Sequence, residues 1–238
     1  MLTIITPVLN GKKFIEKNIL SIKQLNIIHE HIIIDGGSTD GTLEVIKNYN
    51  HIVLYKQDHI YPGMYGALHQ GILMSKGELI ACINCDDYIL PKEFTLMFEV
   101  INSSNYDFIY TDSLMFIQKN NVFLKSKSVP FPTFFLKNGI MPFLQPSSIF
   151  TKSLYFKTAG YQYDKYRIIG DLALYIQFSK IFDVRFKRLP IYTTCFLVRE
   201  DSLGNTNSDL VKIEKLQNQI MLPNLFARFI YKAFVNLC

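Results

Sequence analysis

A chain of 238 residues, 49% hydrophobic and 19% charged, is long enough for one large α/β domain or two small ones and too apolar for a disordered protein. Its formal charge of +5 falls short of the dense basic patch that nucleic-acid binding needs, but suits a protein that rests on an anionic membrane or handles phosphorylated substrates. The opening segment MLTIITPVLNGKKF is broken by Pro7 and Asn10 and follows no basic region, so it reads as neither a signal peptide nor a membrane span.

Strand and helix signals then alternate. The apolar run LTIIT (2–6) predicts a strand, and Gly11 to Lys23 a helix, with Ile15, Ile19 and Ile22 at spacings of four and three. EHIIID (30–35) is a second strand and TLEVIKNY (42–49) a short helix; HIVLY (51–55) is a third strand, followed by a helix from Met64 to Ser75. ELIACIN (78–84) is a fourth strand, PKEFTLMFEVI (91–101) a helix with Pro91 in the favoured first turn, and DFIYTD (107–112) a fifth strand. Such alternation means a mostly parallel sheet covered by helices on both faces. Beyond residue 112 the pattern weakens. NVFLKSK (121–127) reads as one strand of a hairpin, and the Pro-punctuated aromatic stretch 131–150 shows no period, fitting either core under an irregular lid or an acceptor-contacting loop. DLALYIQFSKIF (171–182) is helical, VRFKRL (184–189) and IYTTCFL (191–197) read as two strands, and DSLGNTNS (201–208) is a polar loop.

The four cysteines (Cys82, Cys85, Cys195, Cys238) form no disulfide framework and read as reduced thiols of a cytosolic protein. Cys82 and Cys85 make a CxxC inside a strand signal, where side chains three apart point to opposite faces.

Ligands of parallel α/β sheets sit beyond the carboxyl ends of the strands. The residues there are Pro7 to Asn10, Asp35 to Asp40, Asp58, and Asp86 with Asp87. Carboxylates gathered in a crevice cost desolvation energy unless a cation or a hydrogen-bonding ligand compensates. The loop DGGSTDGT (35–42) has two readings: a strand-terminal acid accepting hydrogen bonds from a ribose or base, with glycines admitting the ligand, or a turn with a helix cap. The chain has no GxGxxG and no GxxxxGK[ST], which leaves a dinucleotide fold and a P-loop unsupported.

Four blocks in order carry a resemblance: TPVLNG (6–11), IIIDGGSTDGT (32–42), GMYGALHQGILMSKGELIACINCDD (63–87), and MPFLQPSSIF (141–150) with GYQYDKYRIIGDLALYIQF (160–178). In these the chain resembles the family 2 glycosyltransferases of the GT-A fold, nearest to the bacterial O-antigen, capsule and exopolysaccharide enzymes. The resemblance implies a Rossmann-like sheet in one GT-A domain, with residues 1–112 as its nucleotide-sugar half, 113–200 as its acceptor and catalytic-base half, and 201–238 as a tail. It implies that Thr6, Pro7 and Asn10 border the base and ribose, that Asp35 accepts hydrogen bonds from the nucleoside, that Ser38 and Asp40 support that loop, and that Asp58 lines the same crevice. NCDD (84–87) looks like the family's DxD-type motif, in which Asp86 and Asp87 share the ribose contact and a divalent cation, Mn²⁺ or Mg²⁺, on the donor diphosphate.

Inverting transfer needs a carboxylate to take the acceptor hydroxyl's proton. By resemblance this is Asp171, a position that a helix-terminal acid would also fill for the sake of the dipole. The chain differs from the family's common pattern at Gly170, where an acid or polar residue often precedes the base, and at Gln145, where a His often stands. His29, His31 and His51 flank strands at the amino ends, away from the crevice; His59 and His69 lie nearer the donor site.

The segment PNLFARFIYKAFVNL (223–237) spaces Phe226, Phe229, Ile230, Ala233, Phe234 and Leu237 as a basic amphipathic helix. Its apolar face has three candidate partners: the inner face of the cytoplasmic membrane, its own domain, or a second copy in a homodimer. The family implies a UDP-sugar donor and a lipid-linked sugar acceptor. Two alternatives compete: a silent nucleotide-sugar-binding subunit, and a nucleotidyltransferase, whose Gly-rich N-terminal loop with following Arg and Lys is missing.

Overall fold

Every residue of β1 (Leu2–Val8) is buried, as expected of an apolar strand with a partner on each side and a layer on each face. The computed structural model describes residues 1–200, 208–220 and 223–236. After β1 come α1 (Ile15–Lys23), β2 (His29–Asp35), α2 (Thr42–Ile46), β3 (Ile52–Lys56), α3 (Gly63–Met74) and β4 (Leu79–Cys82). The next elements are the short β5 (Tyr88–Ile89), α4 (Pro91–Asn102), and the hairpin of β6 (Phe108–Ile117) with β7 (Val122–Ser126). Then follow α5 (Pro132–Lys137), β8 (Ser148–Thr151), α6 (Lys152–Phe156), α7 (Gly170–Ser179), β9 (Phe186–Val198), α8 (Ser208–Gln217) and α9 (Leu225–Asn236).

The strands form one sheet in the order β3-β2-β1-β4-β8-β6-β9-β5, with β7 added to β6. Parallel pairing holds from β3 to β4 and between β6 and β9; β8 runs antiparallel to both β4 and β6. The sheet is therefore parallel in its first half and mixed in its second. Strand alternation sends Ile5 and Ile80 to one face, with Leu68, Leu136, Tyr175 and Phe178, and Leu2, Ile4 and Ala81 to the other, with Phe94, Met97 and Ile101. Helix α3 lies so close on β1 that a Cβ on Gly71 would stand 2.4 Å from Ile5 Cγ2.

Several expectations are corrected. The stretch 131–150 holds α5, a 3₁₀ turn at Gln145–Ser147 and most of β8, so it supplies an inner strand of the sheet. The two strands expected at 184–197 are one, β9, bent by a register shift against β6 between Thr111 and Ser113 that accommodates Pro190. The first helix begins at Ile15, not Gly11, and α2 ends at Ile46. The loop expected at 201–208 lies outside the described residues except for Ser208, which opens α8; Leu237 and Cys238 also lie outside them.

Candidate active site

Two neighbouring loops at the carboxyl end of the parallel strands are clamped to each other. After β1, Asn10 turns with a φ of 53°; its backbone N–H donates to Ser38 Oγ at 2.9 Å, and its Oδ1 accepts from Thr39 N at 2.9 Å. Gly11 N donates to Thr42 Oγ1 (2.9 Å) and Lys12 N to Asp40 Oδ2 (3.1 Å). Asp40 also accepts from the Thr42 hydroxyl, and that bond holds its carboxyl below the usual carboxylate range.

Asp35, the buried last residue of β2, turns its carboxylate onto its own loop: Oδ2 accepts from Gly37 N at 2.9 Å and Ser38 N at 3.1 Å. Asp35 thus forms an Asx-type turn, while the side-chain helix cap expected with it is not made, because α2 starts after Gly41. Thr6 and Pro7 are buried within β1. Thr6 Oγ1 shares a 2.9 Å hydrogen bond with His31 Nε2, so this side chain faces the interior, away from solvent. Burial, helped by the charges of His51 and His29, lowers the His31 pKa to about 3, so its ring is neutral. Asp58, half-exposed in the loop after β3, accepts from Ile60 N at 3.1 Å and pairs with His59.

The loop after β4 is braced from below: Asn18 Nδ2 donates to both Asn84 O and Asp87 O at 3.0 Å. Asp86 Oδ2 stands 3.4 Å from Arg199 Nη2. Asp87 is buried, and its Oδ1 accepts from Leu197 N at 2.9 Å. Burial, then the neighbouring Asp86 carboxylate, pushes the Asp87 carboxyl well above its ordinary pKa. Around this loop three buried oxygens, Asn84 Oδ1, Asp87 Oδ2 and Gln145 Oε1, have no hydrogen-bond partner among the described residues; Gln145 is anchored there by its Nε2 on Cys82 O (2.8 Å). All three are acceptors, so what they lack is a donor or a cation. Among the described residues no group of three His, Cys, Asp or Glu side chains converges as a metal cage. Two carboxylates with substrate phosphates are nonetheless a common way to hold Mg²⁺ or a similar hard cation, and the donor set fits one. Burial raises both Cys82 and Cys85 to about 12, which keeps these thiols protonated.

Asp171 is in the first turn of α7. Its Oδ1 accepts from Leu172 N at 2.8 Å and lies 3.2 Å from Tyr65 Oη, near the start of α3. Its Oδ2 has no protein hydrogen-bond partner among the described residues. Burial raises its carboxyl to about 6, against the lowering effect of those hydrogen bonds. The loop leading to it is held by Glu214 of α8, whose buried carboxylate accepts from Arg167 N (2.8 Å), Ile168 N and Ile169 N (both 3.2 Å).

Tyr65, Arg199 and Glu214 were not singled out from the sequence. Each meets its partner across about 45 to 115 residues of chain, and no local spacing encodes such contacts. Gly170 is the feature of the sequence that bears on Tyr65, since a Cβ there would meet its ring.

A family model described as "Glycosyl transferase family 2" matches residues 3–168. A search of curated proteins returns no match. The crystal structure of S. aureus TarS 1-349 superposes with a TM-score of 0.66 at 16% identity, covering 90% of this chain and 65% of that one. The same protein in complex with UDP-GlcNAc gives 0.65 at 16% identity, with 90% and 66% covered. The mannosyltransferase PcManGT from Pyrobaculum calidifontis, in complex with GDP-Man and Mn²⁺, gives 0.62 at 16% identity, with 89% and 60% covered. At these identities the likeness is one of fold, and the chain spans about two-thirds or less of the length of each.

Proposed function

We propose, from the premise that the chain belongs to glycosyl transferase family 2 and has the GT-A fold, that it is an inverting transferase moving a hexose or N-acetylhexosamine from a UDP-sugar to a saccharide acceptor. The observation that carries this reading is Asp171: a carboxylate with one oxygen tied down, the other unclaimed by any described residue, and a pKa of about 6 that suits a general base near neutral pH.

In this reading Asp171 Oδ2 takes the proton of the acceptor hydroxyl. That oxygen forms the new bond to the anomeric carbon on the face opposite the nucleotide, and the bond to the β-phosphate breaks with its electron pair leaving on the diphosphate. The nucleoside lies over the loops of Asn10, Asp35 and Ser38, which their mutual hydrogen bonds keep in one shape. Thr6 contributes through its backbone and its bond to His31, not as a ligand. Pro7 closes the end of the same strand, and Asp40 and Asp58 fix the flanking turns. Asp86, the less buried of the acidic pair, would hold Mn²⁺ or Mg²⁺, with Asp87 bracing the loop against β9. A bound cation would neutralise the charge developing on the departing diphosphate. The direct test is a mass-spectrometric screen of nucleotide sugars for gain of one sugar residue on an acceptor.

For the acceptor we propose a polyprenyl-diphosphate-linked sugar of bacterial surface polysaccharide synthesis, met at the cytoplasmic face of the membrane. No helix among the described residues is long and apolar enough to cross a membrane. Helix α9 instead packs Ala227, Tyr231 and Phe234 inward, the last two against Phe135, and leaves Leu225, Phe226 and Phe229 exposed beside Arg228 and Lys232. The chain has no acid in 113–163, nor in 215–238, so nothing on α5 or α9 opposes an anionic surface. The protein is expected to float with phosphatidylglycerol vesicles and not with phosphatidylcholine alone, and Phe226→Ser with Phe229→Ser to lower the bound fraction about tenfold. Equal flotation of that double variant would remove α9 as the membrane contact, and a concentration-dependent dimer broken by it would assign the face to a second copy.

A further inference from the structure

The glycine before Asp171 has a physical cause. A Cβ on Gly170 would stand 2.5 Å from Cδ2 and 2.7 Å from Cε2 and Cγ of Tyr65, so any other residue would collide with the ring. The ring is held on its other side: Tyr65 is 3% exposed and stacks on Tyr161 at 5.4 Å, which in turn packs on Tyr155, so a Cβ at 170 is admitted only by shifting the ring off this seat. This seat brings Tyr65 Oη within 2.6 Å of Ile168 O and 3.2 Å of Asp171 Oδ1. A phenol has one proton and here faces two acceptors.

We infer that Tyr65 is a positioning residue for Asp171, seated by the missing side chain at Gly170, and that its hydroxyl proton moves between the Ile168 carbonyl and the Asp171 carboxylate as the latter changes protonation. With Asp171 ionised, the proton turns to Oδ1 and fixes that oxygen together with Leu172 N–H, leaving Oδ2 toward the acceptor. With Asp171 protonated, the phenol returns its proton to Ile168 O and can accept from the acid. The hydrogen bond therefore exists for the charged form and opposes the effect of burial. The other titratable groups electrostatically coupled to Asp171 are the phenols of Tyr161, beside Tyr65, and Tyr175 of α7, both pushed well above their ordinary pKa by burial and hence neutral. With no charged neighbour among them, the charged form of this acid is favoured by backbone N–H groups, Leu172 first, and by the Tyr65 phenol, which is the side chain among them.

The role of this pair in catalysis rests on the base assignment above, but the contact itself is measurable without any substrate. Carboxyl ¹³C NMR of aspartate-labelled protein, with the Asp171 signal identified by its loss in Asp171→Asn, should titrate about one pH unit higher in Tyr65→Phe than in the natural chain. Tyr175→Phe is the control. It removes a phenol equally buried, whose hydroxyl bonds Ser148 at 3.1 Å and not Asp171, and it should leave the titration within about 0.3 units. Gly170→Ala, which displaces the ring while keeping the phenol, should reproduce the Tyr65→Phe shift. An unchanged titration in Tyr65→Phe, or an equal shift in Tyr175→Phe, would overturn the inference. Transfer retained by Asp171→Asn would instead overturn the base assignment while leaving the measured contact standing.

Discussion

Asp171→Asn is expected to lower kcat/KM for transfer by about 10²–10⁴-fold, the range a positioned general base supplies, while UDP binding by calorimetry changes less than about twofold. The split follows from geometry. The amide oxygen of asparagine can still accept from Leu172 N–H, so the start of α7 keeps its shape, and the donor loops on β1 and β2 do not include this residue. What is lost is the ability of the second oxygen to take a proton. The same assignment fixes a pH dependence. Burial raises the carboxyl to about 6, and the ionised form is the active one, so the rate should rise with pH through an apparent pKa near 6 and level off above it. A substitution that leaves the rate intact, or that weakens UDP and transfer in equal proportion, would move the base elsewhere.

The second large effect is expected at Asp86. Asp86→Asn should weaken Mn²⁺-dependent UDP binding by about 10–100-fold, and Mn²⁺ with UDP should raise the thermal midpoint of the natural chain but barely that of the variant. The reason is the chemistry of the loop. Two adjacent acidic side chains, with the buried oxygens Asn84 Oδ1 and Gln145 Oε1 beside them, form a set dominated by acceptors, and Arg199 Nη2 stands 3.4 Å from Asp86 Oδ2. Asp87 is committed to Leu197 N and lies deeper, which leaves Asp86 as the carboxylate nearer the crevice. Metal-independent UDP binding of unchanged strength in Asp86→Asn would make Arg199, not a cation, the partner of the diphosphate.

The parts of the fold legible in the sequence follow one physical rule. β1, β2 and β4 are buried on both faces, so they read as continuous apolar runs, and their carboxyl ends open into loops of small and acidic residues. That rule places Asp35, Asp86 and Asp87 just beyond buried strands, and Asp58 follows the half-buried β3 in the same way. It failed where the sheet turns mixed. β8 has only four residues, inside a run of prolines and aromatics, and its antiparallel partners β4 and β6 are set by tertiary packing rather than by any period of its own. Pro190 lies between the two stretches that read as separate strands; a proline cannot donate to a ladder, and this one falls at the register shift of β9 against β6. Within the candidate site, the sequence distinguished acids at strand ends but not their employment: Asp35 spends its carboxylate on its own turn, and Thr6 faces the interior. Gly170 looked like a departure from the family's pattern, and only the ring of Tyr65 against it explains why no side chain fits.

Sugar transfer by single displacement is tested most directly by offering purified protein UDP-, GDP- and dTDP-sugars with a GlcNAc-diphosphate-lipid analogue, with and without Mn²⁺. Product mass is read by mass spectrometry and anomeric configuration by proton NMR. The expected result is a Mn²⁺-dependent gain of one hexose or N-acetylhexosamine from a UDP-sugar, with the configuration opposite to that of the donor. A product that retains the donor's configuration, or binding of UDP with no transfer from any donor to any saccharide acceptor, would contradict it.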